Sequence, residues 1–345
     1  MLRLKNYRLL TGVLLLTAAL ALPRQAEAQG GPDTVYKKAL PSTGFVVTTK
    51  PNNMLGYGTC WVVDAEKRLV ITNQHVVSGV TTCKVAFPRF QNGDVVTRSG
   101  AYGKADYIPG KVLARDSKRD LALVQLDRLP AGTKTLVLAP QGIMPGADIW
   151  AIGNSGMAKK DLNAGTLWRV RHGKVKKVWF ARTTLTGIEQ KLEVCQVNTD
   201  SGSMPGDSGG PVVDGQGRLV AVNSTATDQD GDFGTDVTEV RAFLRNALGP
   251  KVQPSQTVVG SWVVTWSYKG QEHLAGLMLN SNGTGEWVGQ KRFPGTFTFK
   301  DGKLTLRMPG SGVEATVVIV WRSNTQFVFT INYSDGATTY TATRR

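Results

Sequence analysis

The run Gly206–Pro211, which reads Gly-Asp-Ser-Gly-Gly-Pro, constrains this chain more than any other stretch. A serine hydroxyl is a weak nucleophile unless a neighbouring base takes its proton. The flanking glycines allow unusual backbone angles and a close approach of other groups. The N–H groups of Gly206 and Ser208 are therefore candidate donors to a negative charge that develops on an attacked oxygen. The alternative is a glycine-rich turn between strands, because Gly-Asp and Ser-Gly pairs also mark turns.

The same run fits the Gly-x-Ser-x-Gly elbow of an α/β-hydrolase, in which a histidine follows the serine along the chain. Only His273 follows Ser208, and it lies in a segment with the pattern of another domain. The segments around Ser208 also have strand patterns, and no helix pattern directly follows the serine. We therefore expect the general base upstream of Ser208.

The first 28 residues form a separate segment. They combine a basic start, an apolar run over Leu9–Leu22 and an Ala-Glu-Ala pattern that ends at Ala28. This arrangement predicts a secretory signal peptide that is cleaved near Ala28, and hence a secreted or periplasmic protein. An uncleaved anchor is the alternative, although the apolar run is short for a membrane span. The polar segment Gln29–Leu40 is predicted to be loose.

The formal net charge of +15 raises the question of nucleic-acid binding. The densest basic cluster alternates with apolar residues, as the solvent face of a strand does. Its members are Arg169, Arg171, Lys174, Lys176 and Lys177. No nucleic-acid motif accompanies the cluster. We expect a solvated basic face and no nucleic-acid partner, with attraction to acidic surfaces as the second interpretation.

Three cysteines make an odd count. In an exported protein Cys60 and Cys83 could form a disulfide, which would leave Cys195 free. With no Cys-x-x-Cys pair and only three scattered histidines, we expect no metal site and no cofactor. The acidic segment Asp228–Glu239 faintly resembles a calcium loop, but Phe233 stands where that loop needs glycine. An acidic surface turn is the favoured interpretation.

Two polar residues upstream of Ser208 stand where a base and its orienting acid are needed. His75 follows a short β pattern and is the first of the three histidines in the chain. Asp120 begins a strongly apolar strand pattern, and a carboxylate buried there needs a partner. Asp116 and Asp127 compete with it, but both have the look of exposed loop residues. In the resulting triad Ser208 attacks a carbonyl, His75 takes its proton and Asp120 fixes the imidazole tautomer.

These residues resemble the trypsin-like serine peptidases of the chymotrypsin fold, and the HtrA/Deg branch is the closer match. Ile71–Val76 resembles the histidine motif of that branch, and Asp120–Leu123 resembles its aspartate motif. Thr199–Pro211 resembles its serine loop. The resemblance covers roughly Thr43–Leu248.

The resemblance implies an all-β fold with two six-stranded β-barrels and the triad in the cleft between them. It also implies an oxyanion hole made by the N–H groups of Gly206 and Ser208. Apolar spacing from Val237 to Leu248, followed by Gly249 and a proline, predicts one helix after the second barrel.

The chain departs from that family pattern in two ways. HtrA-type enzymes usually carry a peptide-binding PDZ module after the peptidase, and no segment here has that look. Many of them have asparagine before the serine, whereas this chain has Asp207, as the digestive enzymes do. In the digestive enzymes that aspartate pairs with a freed N-terminus. No such N-terminal sequence occurs here, so the partner of Asp207 stays open.

The substrate pocket is less well specified. Gly202 stands six residues before Ser208, so the acidic pocket base of the trypsins is absent. We expect a pocket for a small or medium uncharged side chain, lined by Ser203, Ser224, Thr225 and Ala226.

The part of the chain after the peptidase has its own strand pattern. We predict a peptidase domain over 29–250, a linker over 251–257 and a domain over 258–345 in which eight short strands form a small antiparallel meander or barrel. The motif Gly260-x-Trp262 is weakly similar to the entry motif of lipocalin-like β-barrels. Four tryptophans either line a cavity for a small hydrophobic or polymer ligand or fill a core. They are Trp262, Trp266, Trp287 and Trp321.

Together these features predict a serine endopeptidase that acts on polypeptides. One alternative is a catalytically silent binding or scaffold protein on a peptidase fold. Another is a ligand-binding C-terminal domain that regulates the peptidase. The sequence leaves the oligomeric state open.

Overall fold

The structure is a computed structural model, and it describes residues 32–51, 53–155, 165–185, 190–227, 231–249, 257–309, 313–323, 325–333 and 336–345. The predicted signal peptide, and the predicted linker apart from Thr257, lie outside these residues. Within the described ranges, no helix combines the length and the apolar character needed to cross a bilayer.

The first barrel is built from apolar strands with alternating burial. The strands of this part of the chain are β1 (Thr43–Thr49), β2 (Leu55–Asp64), β3 (Leu69–Thr72), β4 (Thr82–Ala86), β5 (Phe90–Gln91), β6 (Asp94–Val95), β7 (Ile108–Asp116) and β8 (Leu121–Leu126). Six of them close in the order β1-β2-β3-β8-β7-β4, while β5 and β6 form a separate hairpin. β8 is apolar almost throughout because its two faces contribute to two different buried clusters, one inside the barrel and one between the barrels.

The second barrel also has six strands. They are β9 (Asp148–Gly153), β10 (Arg169–Leu185), β11 (Gln190–Thr199), β12 (Pro211–Val213), β13 (Leu219–Thr227) and β14 (Gly231–Asp236). They close in the order β10-β11-β14-β13-β12-β9. The predicted helix follows as α2 (Val237–Leu248), and the Asp236 side chain caps it by accepting the Thr238 N–H. The prediction of an all-β fold with two six-stranded barrels is confirmed.

One apolar cluster joins the two barrels. It brings Trp61 and Leu123 of the first barrel against Trp150 and Ile152 of the second, with Phe243 of α2 packed on them. Burial of these side chains stabilises the junction by about 25 cal/mol for each Å² of apolar surface removed from water. The loops at this junction are therefore carried by a rigid base.

The segment before β1 is helical rather than loose. Its helix α1 (Pro32–Ala39) buries Val35 and Ala39 completely in the cluster between the barrels. The Tyr36 hydroxyl also donates to the Trp168 carbonyl at 2.7 Å. The prediction of a loose segment was wrong because its few apolar residues lie four positions apart and share one helix face.

The C-terminal domain is one antiparallel sheet. Its strands are β15 (Gly260–Tyr268), β16 (Gln271–Leu279), β17 (Thr284–Val288), β18 (Arg292–Lys300), β19 (Lys303–Met308), β20 (Val313–Val318), β21 (Val320–Ser323), β22 (Gln326–Tyr333) and β23 (Gly336–Arg344). Their order is β20-β19-β18-β17-β16-β15-β23-β22-β21. Only Ile319 separates β20 from β21, so the two outer strands of the sheet are halves of one bent strand. The predicted antiparallel meander is confirmed, with one of its eight strands divided.

The four tryptophans of this domain have two different environments. Trp262 is 1% exposed and packs against Phe327 with ring centroids 4.5 Å apart, and Trp321 lies beside them, so this pair belongs to the core. Trp266 and Trp287 are half-buried and line an open cleft of about 420 Å³.

The C-terminal domain packs on the second barrel. Phe180 of β10 fits over Gly276 of β16, where an added Cβ would lie 2.8 Å from the ring. The Phe180 N–H donates to the Gly289 carbonyl at 3.1 Å. Val263 and Val288 of the C-terminal sheet join the same buried cluster as Phe180. The contact is therefore apolar at its centre.

The three cysteines are free, buried thiols. Cys60 and Cys83 lie in the core of the first barrel, so the disulfide considered from the sequence is not formed. Burial raises the pKa of the Cys83 thiol to about 12 and raises that of Cys60 well above its usual value. Both thiols therefore remain protonated, which makes them poor nucleophiles.

Candidate active site

Three loops bring the predicted triad residues to the junction of the barrels. His75 lies in the turn after β3, and Asp120 is the residue directly before β8. β3 pairs with β8, with Thr72 opposite Ala122, so these two positions meet at the same end of the sheet. Ser208 lies in the loop that precedes β12 of the second barrel.

The Asp120 carboxylate orients His75. The imidazole Nδ1 lies 2.8 Å from Asp120 Oδ2, and the His75 backbone N–H donates to Oδ1 at 3.0 Å. Asp120 is fully buried, whereas the His75 side chain is 20% exposed. A neutral imidazole in this position carries its proton on Nδ1, which leaves Nε2 as an acceptor that faces away from the carboxylate.

Two further donors complete the environment of Asp120. The Ser224 hydroxyl donates to Oδ2 at 2.7 Å, and the Gln190 side-chain amide donates to Oδ1 at 3.2 Å. Each carboxylate oxygen thus accepts two hydrogen bonds, which compensate for the water that the side chain loses on burial. The sequence reasoning missed Gln190 and assigned Ser224 to the substrate pocket. The Ser224 side chain is directed to Asp120 while its carbonyl faces Ser208, and its place in the substrate pocket stays a prediction.

The backbone of Asp120 is held in the left-handed region, with φ of +53°. This conformation is unfavourable for a residue with a side chain. The Asn73 side-chain amide stabilises it by donating to the Asp120 carbonyl at 2.8 Å. The carboxylate is therefore fixed by its backbone as well as by its hydrogen bonds.

The Ser208 hydroxyl is connected to this cluster through Ser224. It donates to the Ser224 carbonyl at 3.1 Å. Among the described residues, no hydrogen bond joins the Ser208 hydroxyl directly to His75. Ser208, Ser224, Asp120 and His75 nevertheless form one continuous set of contacts.

The Ser208 loop is pinned to the first barrel. Thr59 donates its backbone N–H to the Ser208 carbonyl and its hydroxyl to the Gly206 carbonyl, both at 2.8 Å. Gly209 has φ of +85°, and a Cβ there would lie 2.2 Å from the Thr59 carbonyl oxygen. Within the described part of the chain, the N–H groups of Gly206 and Ser208 have no hydrogen-bond acceptor.

Asp207 has an internal cation as its partner. Its side chain is almost buried, and the Arg171 Nε of β10 lies 3.4 Å from Oδ2. The Met204 N–H donates to the same oxygen at 3.0 Å. Burial raises the pKa of the Asp207 carboxyl above its usual value, although the Met204 N–H and Arg171 act in the opposite direction. Arg171 is thus the partner of Asp207 that the sequence left open, and its Nη2 also donates to the Ser155 hydroxyl.

Other members of the predicted basic face are also paired with carboxylates. Lys174 contacts Asp148 at 2.8 Å, and Lys176 contacts Asp200 at 2.7 Å. These side chains are about half exposed, so the pairs add little stability, but they reduce the positive charge that the face presents.

One of the predicted pocket residues, Ser203, lies against a buried acid. Ser203 donates its N–H to Asp232 at 2.9 Å and its hydroxyl to Asn223 at 3.1 Å. Asp232 is 4% exposed, so the interpretation of its segment as an acidic surface turn does not hold at this residue. Thr225 is half-buried, and the side chain of Ala226 lies outside the described residues.

In the described part of the chain, no cluster of three or more His, Cys, Asp or Glu side chains is arranged to hold a metal ion.

The comparisons with known proteins concern the two barrels. Residues 58–222 match a family model described as a trypsin-like peptidase domain. Protease Do-like 7 of Arabidopsis thaliana is 27% identical over 239 residues, which cover 65% of this chain and 20% of that protein. The serine protease Do-like HtrA of Lactobacillus helveticus is 24% identical over 220 residues, which cover 63% of this chain and 47% of that protein.

The corresponding HtrA of Bacillus subtilis is 28% identical over 175 residues, which cover 51% of this chain and 34% of that protein. The chain thus spans between a fifth and about half of the length of these curated relatives. Among solved structures, the active form of the Rv3671c protease from M. tuberculosis has a TM-score of 0.50 at 20% identity, covering 66% of this chain and 91% of that chain. This likeness shows the shared fold.

Proposed function

Because the chain carries a trypsin-like peptidase domain, we propose that it is a serine endopeptidase that cleaves polypeptides through Ser208, His75 and Asp120. The observation that supports this most strongly is the His75–Asp120 contact of 2.8 Å. A buried carboxylate that also accepts three other donors, from the His75 backbone, Gln190 and Ser224, fixes one tautomer of the imidazole. The free Nε2 is then the base that a serine nucleophile requires.

The acylation step follows from this arrangement. The Ser208 hydroxyl turns from the Ser224 carbonyl toward His75, gives its proton to Nε2 and attacks the scissile carbonyl carbon. Asp120 stabilises the resulting imidazolium. The N–H groups of Gly206 and Ser208 donate to the oxyanion of the tetrahedral intermediate.

Collapse of that intermediate breaks the C–N bond, and His75 transfers its proton to the leaving amine. The acyl group remains as an ester on the Ser208 oxygen. A water molecule then attacks this ester while His75 takes the water proton. Release of the acid product returns the proton to Ser208.

The test of this proposal is Ser208-dependent chemistry. Wild-type protein should be labelled by a fluorophosphonate probe and should degrade casein, and Ser208→Ala should do neither. Ser267→Ala removes the hydroxyl of an exposed serine in the C-terminal sheet and is the matched control. Labelling that persists in Ser208→Ala, or a wild-type protein inert to probe and casein, would favour the silent binding or scaffold alternative.

Substrate preference is part of the same proposal. The absence of an acid at Gly202 supports a small or medium uncharged side chain before the cleaved bond, as the sequence predicts. Asp232 lies behind Ser203 and has both oxygens occupied by donors from Ser201 and Ser203. A cleavage profile on a proteome-derived peptide mixture tests this preference, which predicts cleavage after small or medium uncharged residues. Cleavage after arginine or lysine would instead identify Asp232 as the charge that selects the substrate.

A second function is supported by the cleft in the C-terminal domain. Trp266 stacks on His273 with ring centroids 5.3 Å apart, and Trp287 and Phe180 line the same cleft. Flat aromatic walls suit a small hydrophobic ligand or a polymer with apolar ring faces. Tryptophan fluorescence should change on titration with a fatty acid or a soluble glycan fragment. Trp266→Leu should remove that response. If neither the fatty acid nor the glycan fragment changes the fluorescence of the wild-type protein, the cleft is not a ligand-binding site of this kind.

We also propose that the protein is secreted or periplasmic. The basis is the leader pattern over residues 1–28, with its Ala-Glu-Ala ending. Mass spectrometry of the exported protein should find Gln29 at its N-terminus. Recovery of the intact leader on membrane-bound protein would indicate an anchor instead.

A further inference from the structure

A buried ion-pair chain runs from the residue beside Asp120 to the C-terminal domain. Arg119 is 3% exposed and contacts Asp116 at 2.6 Å and Glu239 of α2 at 2.9 Å. The Thr235 hydroxyl donates to the Arg119 carbonyl at 2.8 Å, so both the side chain and the backbone of Arg119 are fixed. Asp120 follows directly in the strained left-handed conformation. A shift of Arg119 would therefore move the catalytic carboxylate.

Glu239 is the centre of this chain of contacts. Its Oε2 accepts from Arg119, while its Oε1 accepts from Arg345 at 2.7 Å and from the Cys195 N–H at 3.0 Å. Burial alone would raise the pKa of the Glu239 carboxyl. The two guanidinium groups and the Cys195 N–H outweigh burial, and the pKa lies below its usual value. A carboxylate in this position needs both cations, because a buried charge that loses a partner is costly.

Arg345 supplies the second cation from the other domain. It follows β23, and its backbone N–H donates to the Ser261 carbonyl of β15 at 3.0 Å. Its guanidinium crosses the domain contact, lies 5.1 Å from the centre of the Phe180 ring and reaches Glu239. The side chain is 4% exposed. The C-terminal sheet thus delivers a desolvated positive charge to the helix that holds Arg119.

We propose that Arg345 is a positioning residue for the reaction, acting through Glu239 and Arg119 on the catalytic Asp120. This inference rests on the proposed peptidase function and extends it, because it makes the C-terminal domain part of the support of the triad. Without Arg345, Glu239 retains a single cation, and the carboxylate that contacts Arg119 is held less firmly at its other oxygen. Asp120 then samples orientations in which it does not align the His75 imidazole. Substrate contacts are untouched, so the loss falls on the chemical step.

The kinetic test uses two adjacent arginines of the purified protein. Arg345→Met should lower kcat about tenfold and leave KM within about twofold, since a small misplacement of a catalytic group costs at least that much. Arg345→Lys keeps a cation and should recover part of the loss. Arg344→Met is the control, because Arg344 lies 4.5 Å over the Trp262 ring and binds the Thr257 carbonyl inside the C-terminal domain. It should destabilise that domain and leave kcat unchanged.

A second readout follows the triad directly and does not require turnover. The proton that His75 Nδ1 shares with Asp120 should give a low-field resonance in a one-dimensional proton NMR spectrum. Arg345→Met should shift or broaden this resonance, while Arg344→Met should leave it in place. If kcat and the resonance both survive in Arg345→Met, or if Arg344→Met reproduces the losses, the inference is overturned.

The two readouts also separate this inference from the proposed function. If the wild-type protein shows no Ser208-dependent activity, the peptidase proposal fails, and the resonance alone decides the positioning role. A resonance that changes only in the Arg345 variants would then support positioning of Asp120 in a protein with another use for the site. An unchanged resonance in Arg345→Met would then overturn the positioning role as well.

Discussion

The Ser224 hydroxyl donates to Asp120 Oδ2 at 2.7 Å, the same oxygen that lies 2.8 Å from His75 Nδ1. The second barrel therefore takes part in holding an acid that belongs to the first. Since Gln190, also of the second barrel, donates to the other oxygen, the carboxylate is held from both sides. The donors that orient Asp120 therefore depend on how the two barrels are packed together.

Removal of the Ser224 hydroxyl should therefore slow catalysis without weakening substrate binding. We expect Ser224→Ala to lower kcat about tenfold, which corresponds to about 1.4 kcal/mol of lost transition-state stabilisation. KM should stay within about twofold, because the Ser224 carbonyl is unchanged. Steady-state kinetics on a peptide substrate checks this, with Ser267→Ala as the control. Equal kcat values in Ser224→Ala and wild type would show that the other donors suffice.

Replacement of Arg171 should impair the Ser208 loop. In Arg171→Met the ionised Asp207 loses its cation, so the pKa of this already raised carboxyl should rise further. We expect lower activity at neutral pH and a loss of activity on acidification that begins at a higher pH. Arg169→Met, at an exposed position of the same strand, should behave like wild type. Superimposable pH–activity curves for wild type and Arg171→Met would contradict the pairing.

Arg171→Met should also lower the stability of the fold, by an amount that depends on pH. Because folding raises the pKa of Asp207, its contribution to stability is present at low pH and is lost as the pH rises through the folded pKa. Loss of Arg171 should enlarge that deficit at neutral pH and matter little in acid, where Asp207 is protonated in both proteins. Urea unfolding at two pH values measures the difference.

Two glycines near the nucleophile should respond differently to alanine. Both have positive φ, but a Cβ at Gly202 meets no atom within 4 Å, whereas one at Gly209 meets the Thr59 carbonyl oxygen at 2.2 Å. Gly202→Ala should cost about 1 kcal/mol of backbone strain. Gly209→Ala should cost about 3 kcal/mol or more, because the Ser208 loop must move away from the first barrel. Thermal unfolding and fluorophosphonate labelling check this, and equal effects would exclude the steric explanation.

Arg292 should be essential to the contact between the domains. It is nearly buried, pairs with Asp236 at 2.5 Å and with Glu286, and its Nη2 lies 3.3 Å from Cys195 Sγ. Arg292→Met leaves two buried carboxylates without their cation and should lower the free energy of unfolding by about 3–5 kcal/mol. Arg307→Met breaks an exposed pair with Glu314 and should cost about 1 kcal/mol or less. Chemical denaturation of both variants tests whether burial decides the difference.

Local patterns in the sequence predicted helix α2 and the C-terminal meander, whereas the two closed barrels were implied by the resemblance of the histidine, aspartate and serine motifs to the trypsin-like peptidases. Strand alternation and a helix stop at Gly249 are properties of neighbouring residues, and each is visible without knowledge of the rest of the fold. His75, Asp120 and Ser208 could be singled out because each stands at the end of such a pattern. The structure brings His75 and Asp120 into contact and joins Ser208 to them through Ser224.

The supporting residues carried no such local signal. Ser224 and Gln190 lie 104 and 70 residues from Asp120 along the chain, and nothing around them marks a carboxylate partner. Asp232 lies in an acidic segment with the pattern of an exposed turn, yet it accepts from the Ser201–Ser203 segment, which follows the neighbouring strand β11. Burial of these polar groups is decided by tertiary packing, which a pattern of neighbours does not contain.

The single residue between β20 and β21 has a consequence for how copies of this protein meet one another. An open sheet presents two rows of unpaired backbone groups that can recruit strands from other chains. Here those two rows belong to one bent strand around Ile319, so the borders of the sheet converge instead of standing apart. At high protein concentration, copies of this domain should therefore have little tendency to associate through their edge strands. The solubility of the domain should depend on its exposed side chains rather than on its backbone.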